Sequence, residues 1–146
     1  MIRVSSQEQT VRLFHGDAVV WSAPVSTSRF GLGEEAGSQK TPRGLHSICE
    51  KIGANVPVFT IFDARLPVGI WDRAPSEKDL ILTRILWLDG MEAANRSTKS
   101  RFIYFHGTND ETRIGTPASH GCIRLKNDDI ISLFERIEIG TQVYIE

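Results

Sequence analysis

Residues 106–125, HGTNDETRIGTPASHGCIRL, bring His106, His120 and Cys122 into one short stretch. A thiol attacks only as its thiolate, and a free cysteine with a pKa of about 8.5 is mostly protonated at neutral pH unless a base or positive charge assists it. A neighbouring histidine supplies that help. Gly121 lets the backbone turn tightly, so its amide and that of Cys122 can point together at a carbonyl oxygen that becomes negative during attack. Nucleophile, base and oxyanion donors are thus all expected within this segment, with the rest of the chain as scaffold.

The flanking residues read as rigid supports. Phe102–Phe105 is an apolar run of strand length that delivers His106 to an edge or a cleft. Downstream, Asn127 is an N-cap candidate, Asp128 and Asp129 fall in the positive first turn of a helix, and Ile130, Leu133, Phe134 and Ile137 are spaced for one face. The paired aspartates are better explained by the helix dipole than by acid–base chemistry. Gly140 then releases the chain into a closing strand, Thr141–Ile145.

Nearer the start, Ile2–Val4 reads as a strand, and Thr10–Phe14 with Ala18–Pro24 as a β-hairpin around His15–Asp17. Residues 25–44 are rich in Gly, Ser and Thr and read as a loop leading into a core strand, Leu45–Lys51. GSQKT in that loop lacks the spacing of a phosphate cradle. Pro57 and Pro67 restrict the next segment to short strands. RAPSEKDL, from Arg73, and ANRSTKSR, from Ala94, are expected to be polar and solvated. Ile81–Leu88 fits a helix on propensity, but its β-branched and aromatic content fits a buried strand at least as well. The expectation is one mainly β domain over residues 1–146, two packed sheets in a β-sandwich with one main helix near the C-terminus.

A chain of 146 residues with 40% hydrophobic content is long enough to bury roughly 70% of its unfolded surface in a single domain. Its formal net charge of −1 and lack of long like-charge blocks give no electrostatic footprint for nucleic acid or anionic lipid. No stretch approaches the roughly 20 apolar residues of a membrane span, and the first residues lack a signal peptide's apolar core. A cytoplasmic location is therefore expected, with a periplasmic or extracellular one if a leader has been removed. In a reducing compartment Cys49 and Cys122 are both expected as thiols, Cys49 as a small buried hydrophobe. His15 and His46 lack useful partners, and Trp21, Trp71 and Trp87 are too scattered for a stacking platform. Zinc held by His106, His120 and Cys122 is chemically conceivable, yet the chain has neither CxxC nor HExxH, so no metal or other cofactor is expected.

These residues resemble the signature of L,D-transpeptidase catalytic domains, the YkuD family: a histidine, a variable loop, then [S/T]HGC. The resemblance extends to HGT at residues 106–108, to Ser38, Thr41, Pro42 and Gly44 of an SxxTPxG block, and to Gly140, Thr141, Val143 and Ile145 of a closing GTxVxI strand. It implies that His106 is the base for Cys122, oriented by the carbonyl of Gly107. It places Ser119, His120, Gly121 and Arg124 around substrate and oxyanion. Arg124 stands where some branches carry asparagine, and a guanidinium suits a ligand carboxylate. The implied substrate is a peptidoglycan tetrapeptide or muropeptide, held on Cys122 as a thioester after loss of the terminal D-alanine. Water as acceptor makes the enzyme an L,D-carboxypeptidase of muropeptide recycling; an amine makes it a transpeptidase forming 3,3 crosslinks or attaching proteins to the wall. A non-catalytic wall-binding module is a further alternative that would leave Cys122 and His106 without purpose. Oligomeric state is left open.

Overall fold

The computed structural model describes all of residues 1–146. Alternation in the sequence becomes alternation in space: in β1 (Ile2–Ser5) and β2 (Thr10–His15), Ile2, Val4, Val11 and Leu13 face the core while Arg3 stays exposed. β2 and β3 (Ala18–Pro24) form the expected antiparallel hairpin, turning through Gly16 at φ +60°. The following strands are β4 (Gly44–Ile52), β5 (Thr60–Asp63), β6 (Leu66–Ile70) and β7 (Ile81–Gly90). Then come β8 (Tyr104–Gly107), β9 (Ile123–Leu125), the helix α1 (Asn127–Arg136) and β10 (Gln142–Ile145). No helix is long and apolar enough to cross a membrane.

The molecule is mainly β with one helix near the C-terminus, as the sequence implied. The strands expected as two packed sheets are hydrogen-bonded into one branched network, ordered β3-β2-β1-β10-β4-β7-β5-β6, with β8 on β7 and β9 on β8. The branch lies at β7. Its residues Ile85–Gly90 pair with β4 and Ile81–Leu82 with β5 along one edge, while β8 occupies the other. Consecutive residues Leu82–Leu86 of β7 are all buried, so both faces of the strand are covered, which explains why Ile81–Leu88 carried no clear period. Pro67 lies in β6, the outermost strand, where a missing N–H is tolerated.

The helix covers the strands that carry the site. Ile130, Leu133, Phe134 and Ile137 are all buried in the main core with Ile2, Val143, Phe105 and Ile123. Each such side chain contributes about 1.5–3 kcal/mol relative to exposure. Asn127 is not the N-cap; Lys126 takes that position in extended conformation, and Asn127 is the first helical residue. Its side chain is drawn inward, accepting from Thr83 Oγ1 at 2.5 Å and donating to the Thr108 carbonyl at 2.8 Å. The Glu111 carboxylate caps the helix instead, accepting from the Asn127 backbone N–H at 2.7 Å.

Two polar segments depart from expectation. In the 94–101 loop Asn95 and Thr98 are buried, and Thr98 Oγ1 meets Nε2 of the fully buried His46 at 3.0 Å. Asp79, in the segment expected to be solvated, turns toward Arg124. The strand expected from Phe102 begins only at Tyr104. Phe102 sits in a turn at φ +58° with half its surface exposed.

Candidate active site

β8 and β9 run parallel, with His106 opposite Arg124. Directly opposed residues share a face of a sheet, and residues two apart on a strand share it too. Tyr104, His106, Cys122 and Arg124 therefore project from the same face. The sequence stretch that placed two of these residues sixteen positions apart is folded so that they lie diagonally across one strand pair.

His106 is 1% exposed, and its Nδ1 lies 2.6 Å from the Gly107 carbonyl. A carbonyl only accepts, so Nδ1 carries the proton and Nε2 is left with its lone pair. Burial pushes the imidazole pKa below its ordinary value, partly opposed by the Asp79 charge and the Gly107 carbonyl. The Gly107 position is closed to any side chain. A Cβ there would stand 2.3 Å from Asn127 Oδ1 and 2.8 Å from the Leu82 carbonyl.

Cys122 packs against the small buried cluster of Phe62, Ile85 and Tyr104. Its thiol donates to the Phe102 carbonyl at 3.3 Å and accepts from the Tyr104 N–H at 3.4 Å. Burial pushes its pKa up to about 12, with the Asp79 charge adding to the effect and the Tyr104 N–H, Arg124 and Arg101 opposing it. The thiol makes no hydrogen bond to His106. In this resting arrangement both partners are neutral, and Cys122 must turn along the shared face to meet Nε2. Cys49 is also a free thiol, half-buried against the Trp87 carbonyl.

The loop before Cys122 is fixed from the far end of the chain. Thr41, fully buried in the SxxTPxG block, donates its hydroxyl to the Gly121 carbonyl at 2.9 Å and accepts from the Ser28 N–H. Ser26 exchanges backbone bonds with Arg124, and Thr27 accepts from Ala118 and Ser119, so the Ser/Thr-rich segment forms the site's wall. Gly121 adopts φ +130°, as a tight turn requires. Ser119 is buried and acts within the loop: its hydroxyl donates to the Cys122 carbonyl at 2.6 Å and accepts from the Gly121 N–H at 3.2 Å. That engagement removes the Gly121 amide from the expected oxyanion donors. The amides of His120 and Cys122 donate to no protein group.

His120 is partly exposed and lies between two clefts. One, of about 330 Å³, is lined by Arg29, Lys78, Asp79, Asn109 and Arg124 among others. The second, of about 310 Å³, includes Gly37, Gln39, Ser100, Arg101 and Ile103. Arg124 is nine-tenths buried, with Nη2 2.7 Å from Asp79 Oδ2, and His120 Nδ1 reaches the same oxygen at 3.5 Å. Sequence reasoning missed Asp79, Thr83 and the interior role of Asn127. Nothing in their spacing marked them, because each acts through a contact distant in the chain.

The family model for the L,D-transpeptidase catalytic domain, YkuD, matches residues 1–145. The chain belongs to this family. Among curated relatives, the Escherichia coli K12 protein named "Probable L,D-transpeptidase YbiS" is 51% identical over 43 residues, which cover 30% of this chain and 14% of that protein. A Salmonella typhimurium relative, "Probable L,D-transpeptidase ErfK/SrfK", is 51% identical over 45 residues, 31% of this chain and 15% of the relative. The match is thus confined to a short part of much longer proteins. Among solved structures, an L,D-transpeptidase from Xylanimonas cellulosilytica superposes with a TM-score of 0.65 at 19% identity, covering 99% of this chain and 59% of that one. One from Mycobacterium smegmatis gives 0.63 at 18%, covering 99% and 57%. At these identities the superpositions establish the fold of this YkuD domain and nothing finer.

Proposed function

We propose that this domain is a cysteine acyl-transfer enzyme acting on peptidoglycan stem peptides, cleaving the L,D bond before a terminal D-alanine. The observation that carries the reading is the placement of Cys122 and His106 on one face of β8 and β9, with Nδ1 of the histidine committed to Gly107. Cys122 Sγ leaves the Phe102 carbonyl and passes its proton to His106 Nε2 as it attacks the stem carbonyl. The free amides of His120 and Cys122 receive the developing oxyanion. The departing amine of D-alanine takes the proton from Nε2, leaving the stem as a thioester. A neutral carbonyl in third place orients the ring without adding a charge.

For the second step the proposal is hydrolysis: an L,D-carboxypeptidase that trims muropeptide tetrapeptides to tripeptides in the cytoplasm, where no assembled wall offers amine acceptors. The relatives' names favour the second reading, transfer to an amine. Mass spectrometry of products from a disaccharide tetrapeptide, with and without excess tripeptide, separates them. Release of one D-alanine, indifferent to acceptor and lost in Cys122→Ala, is the expected result. A Cys122-dependent crosslinked dimer that forms at the expense of free tripeptide, with one D-alanine released per crosslink, would replace hydrolysis by transpeptidation.

A further inference from the structure

Arg124 is almost wholly enclosed, and its Nε has no hydrogen-bond partner, the sole buried side-chain nitrogen or oxygen so placed. Asp79 meets the guanidinium with one oxygen on Nη2 and shares that oxygen with His120. The arrangement uses one prong of a fork. A carboxylate approaching side-on would bond Nε and one Nη together, the bidentate geometry for which arginine is suited.

Asp79 is also placed to yield. Its neighbours are pinned by Asn109, whose Oδ1 accepts from the Leu80 N–H at 3.1 Å and whose Nδ2 donates to the Lys78 carbonyl at 2.9 Å. The backbone on either side of Asp79 is therefore held, and exchange needs only its partly exposed side chain to turn away from Arg124 and His120. The cleft in front of it contains Arg29 and Lys78, neither in an ion pair, against a single unpaired acid, Glu77.

We propose that Arg124 and Asp79 form an exchangeable carboxylate site, in which Asp79 occupies the guanidinium until a carboxylate of the incoming peptide displaces it and takes Nε as well. This rests on the peptide-substrate reading above and adds its specificity: the cleft reads an anionic group on the stem. Two carboxylates can supply it, that of the terminal D-alanine and that on the side chain of an acidic diamino acid.

The test uses ¹⁵N-labelled Cys122→Ala protein and follows the Arg124 Nε–H resonance during titration with three tetrapeptides: the free acid, the D-alanine carboxamide and the diamino-acid carboxamide. The free acid is expected to shift the resonance downfield saturably. Only the amide that masks the recognised carboxylate should abolish the shift, which names the source. Asp79→Asn should lower Kd for the free acid several-fold and leave that amide unaffected, whereas Arg124→Gln should erase the preference for acid over amide. No shift with any peptide at millimolar concentration, or equal shifts with all three, would overturn the site. The mass of wild-type Cys122 judges the peptide-enzyme reading separately. An Arg124 response without acylation keeps the carboxylate site and removes that reading; acylation without an Arg124 response does the reverse.

Discussion

Cys122 and His106 are both driven toward neutrality by burial, the thiol upward and the imidazole downward. A standing thiolate–imidazolium pair is therefore not the resting state, and the proton must move as the sulfur attacks. His106 is competent only when neutral, and burial lowers its pKa below the usual histidine value of about 6.5, which extends its neutral form to lower pH. The acid limb of kcat/KM is accordingly expected below pH 6.5, measured as a pH–rate profile on a tetrapeptide. His106→Gln should reduce kcat/KM by about 10²–10⁴-fold across the whole range, the usual contribution of a positioned base. An acid limb above pH 6.5 would mean that a different group, or a charged pair, governs the step. At this scale the sequence was most informative, because a nucleophile, a base and a permissive glycine leave their identities in the chain. Asp79 left none; its role comes from Arg124, forty-five positions later.

Among the elements, the helix start and the strand that bears His106 are tied by one amide. Asn127 touches Thr83, Thr108 and Glu111, and Thr83 is itself held at φ +77°, an uncommon conformation for a β-branched residue. Asn127→Leu keeps the volume but strips these partners, so unfolding by urea should show a loss of about 1–3 kcal/mol for each group left unsatisfied. Gly107→Ala should lower both stability and kcat, because the added Cβ overlaps Asn127 Oδ1 and the Leu82 carbonyl and must displace the Gly107 backbone whose own carbonyl orients His106. Equal activity in that variant would sever the proposed link between Gly107 and the base. The amphipathic face of α1 was legible from spacing, since i, i+3, i+4 periodicity is local. Its true cap was not, since Asn127 is of the right type for an N-cap and only burial decides that its side chain turns inward.

For the molecule as a whole, two histidines are enclosed as neutral groups. His46 and His106 both have folded pKa values pushed down by burial, so the unfolded chain binds more protons than the native one once pH falls below about 6.5. Their contribution to stability is complete above that pH and is lost as pH falls through the lowered folded values. Urea midpoints measured from pH 7.5 to 5 should decline, and His46→Gln should flatten part of the slope. The architecture was readable as mainly β with one helix, but its branching was not. β7 pairs along different parts of one edge with β4 and β5, a pattern set by register between distant segments rather than by any local period. The same long-range pairing brings the Ser26–Ser28 segment against Ser119 and Arg124. The central claim is that this assembly delivers Cys122 to an acyl carbon, and intact-protein mass spectrometry during turnover of a disaccharide tetrapeptide tests it most directly. A transient adduct equal in mass to the stem less D-alanine, mapped to Cys122 and absent from His106→Gln, is the predicted result; product formation undiminished in Cys122→Ala would contradict it.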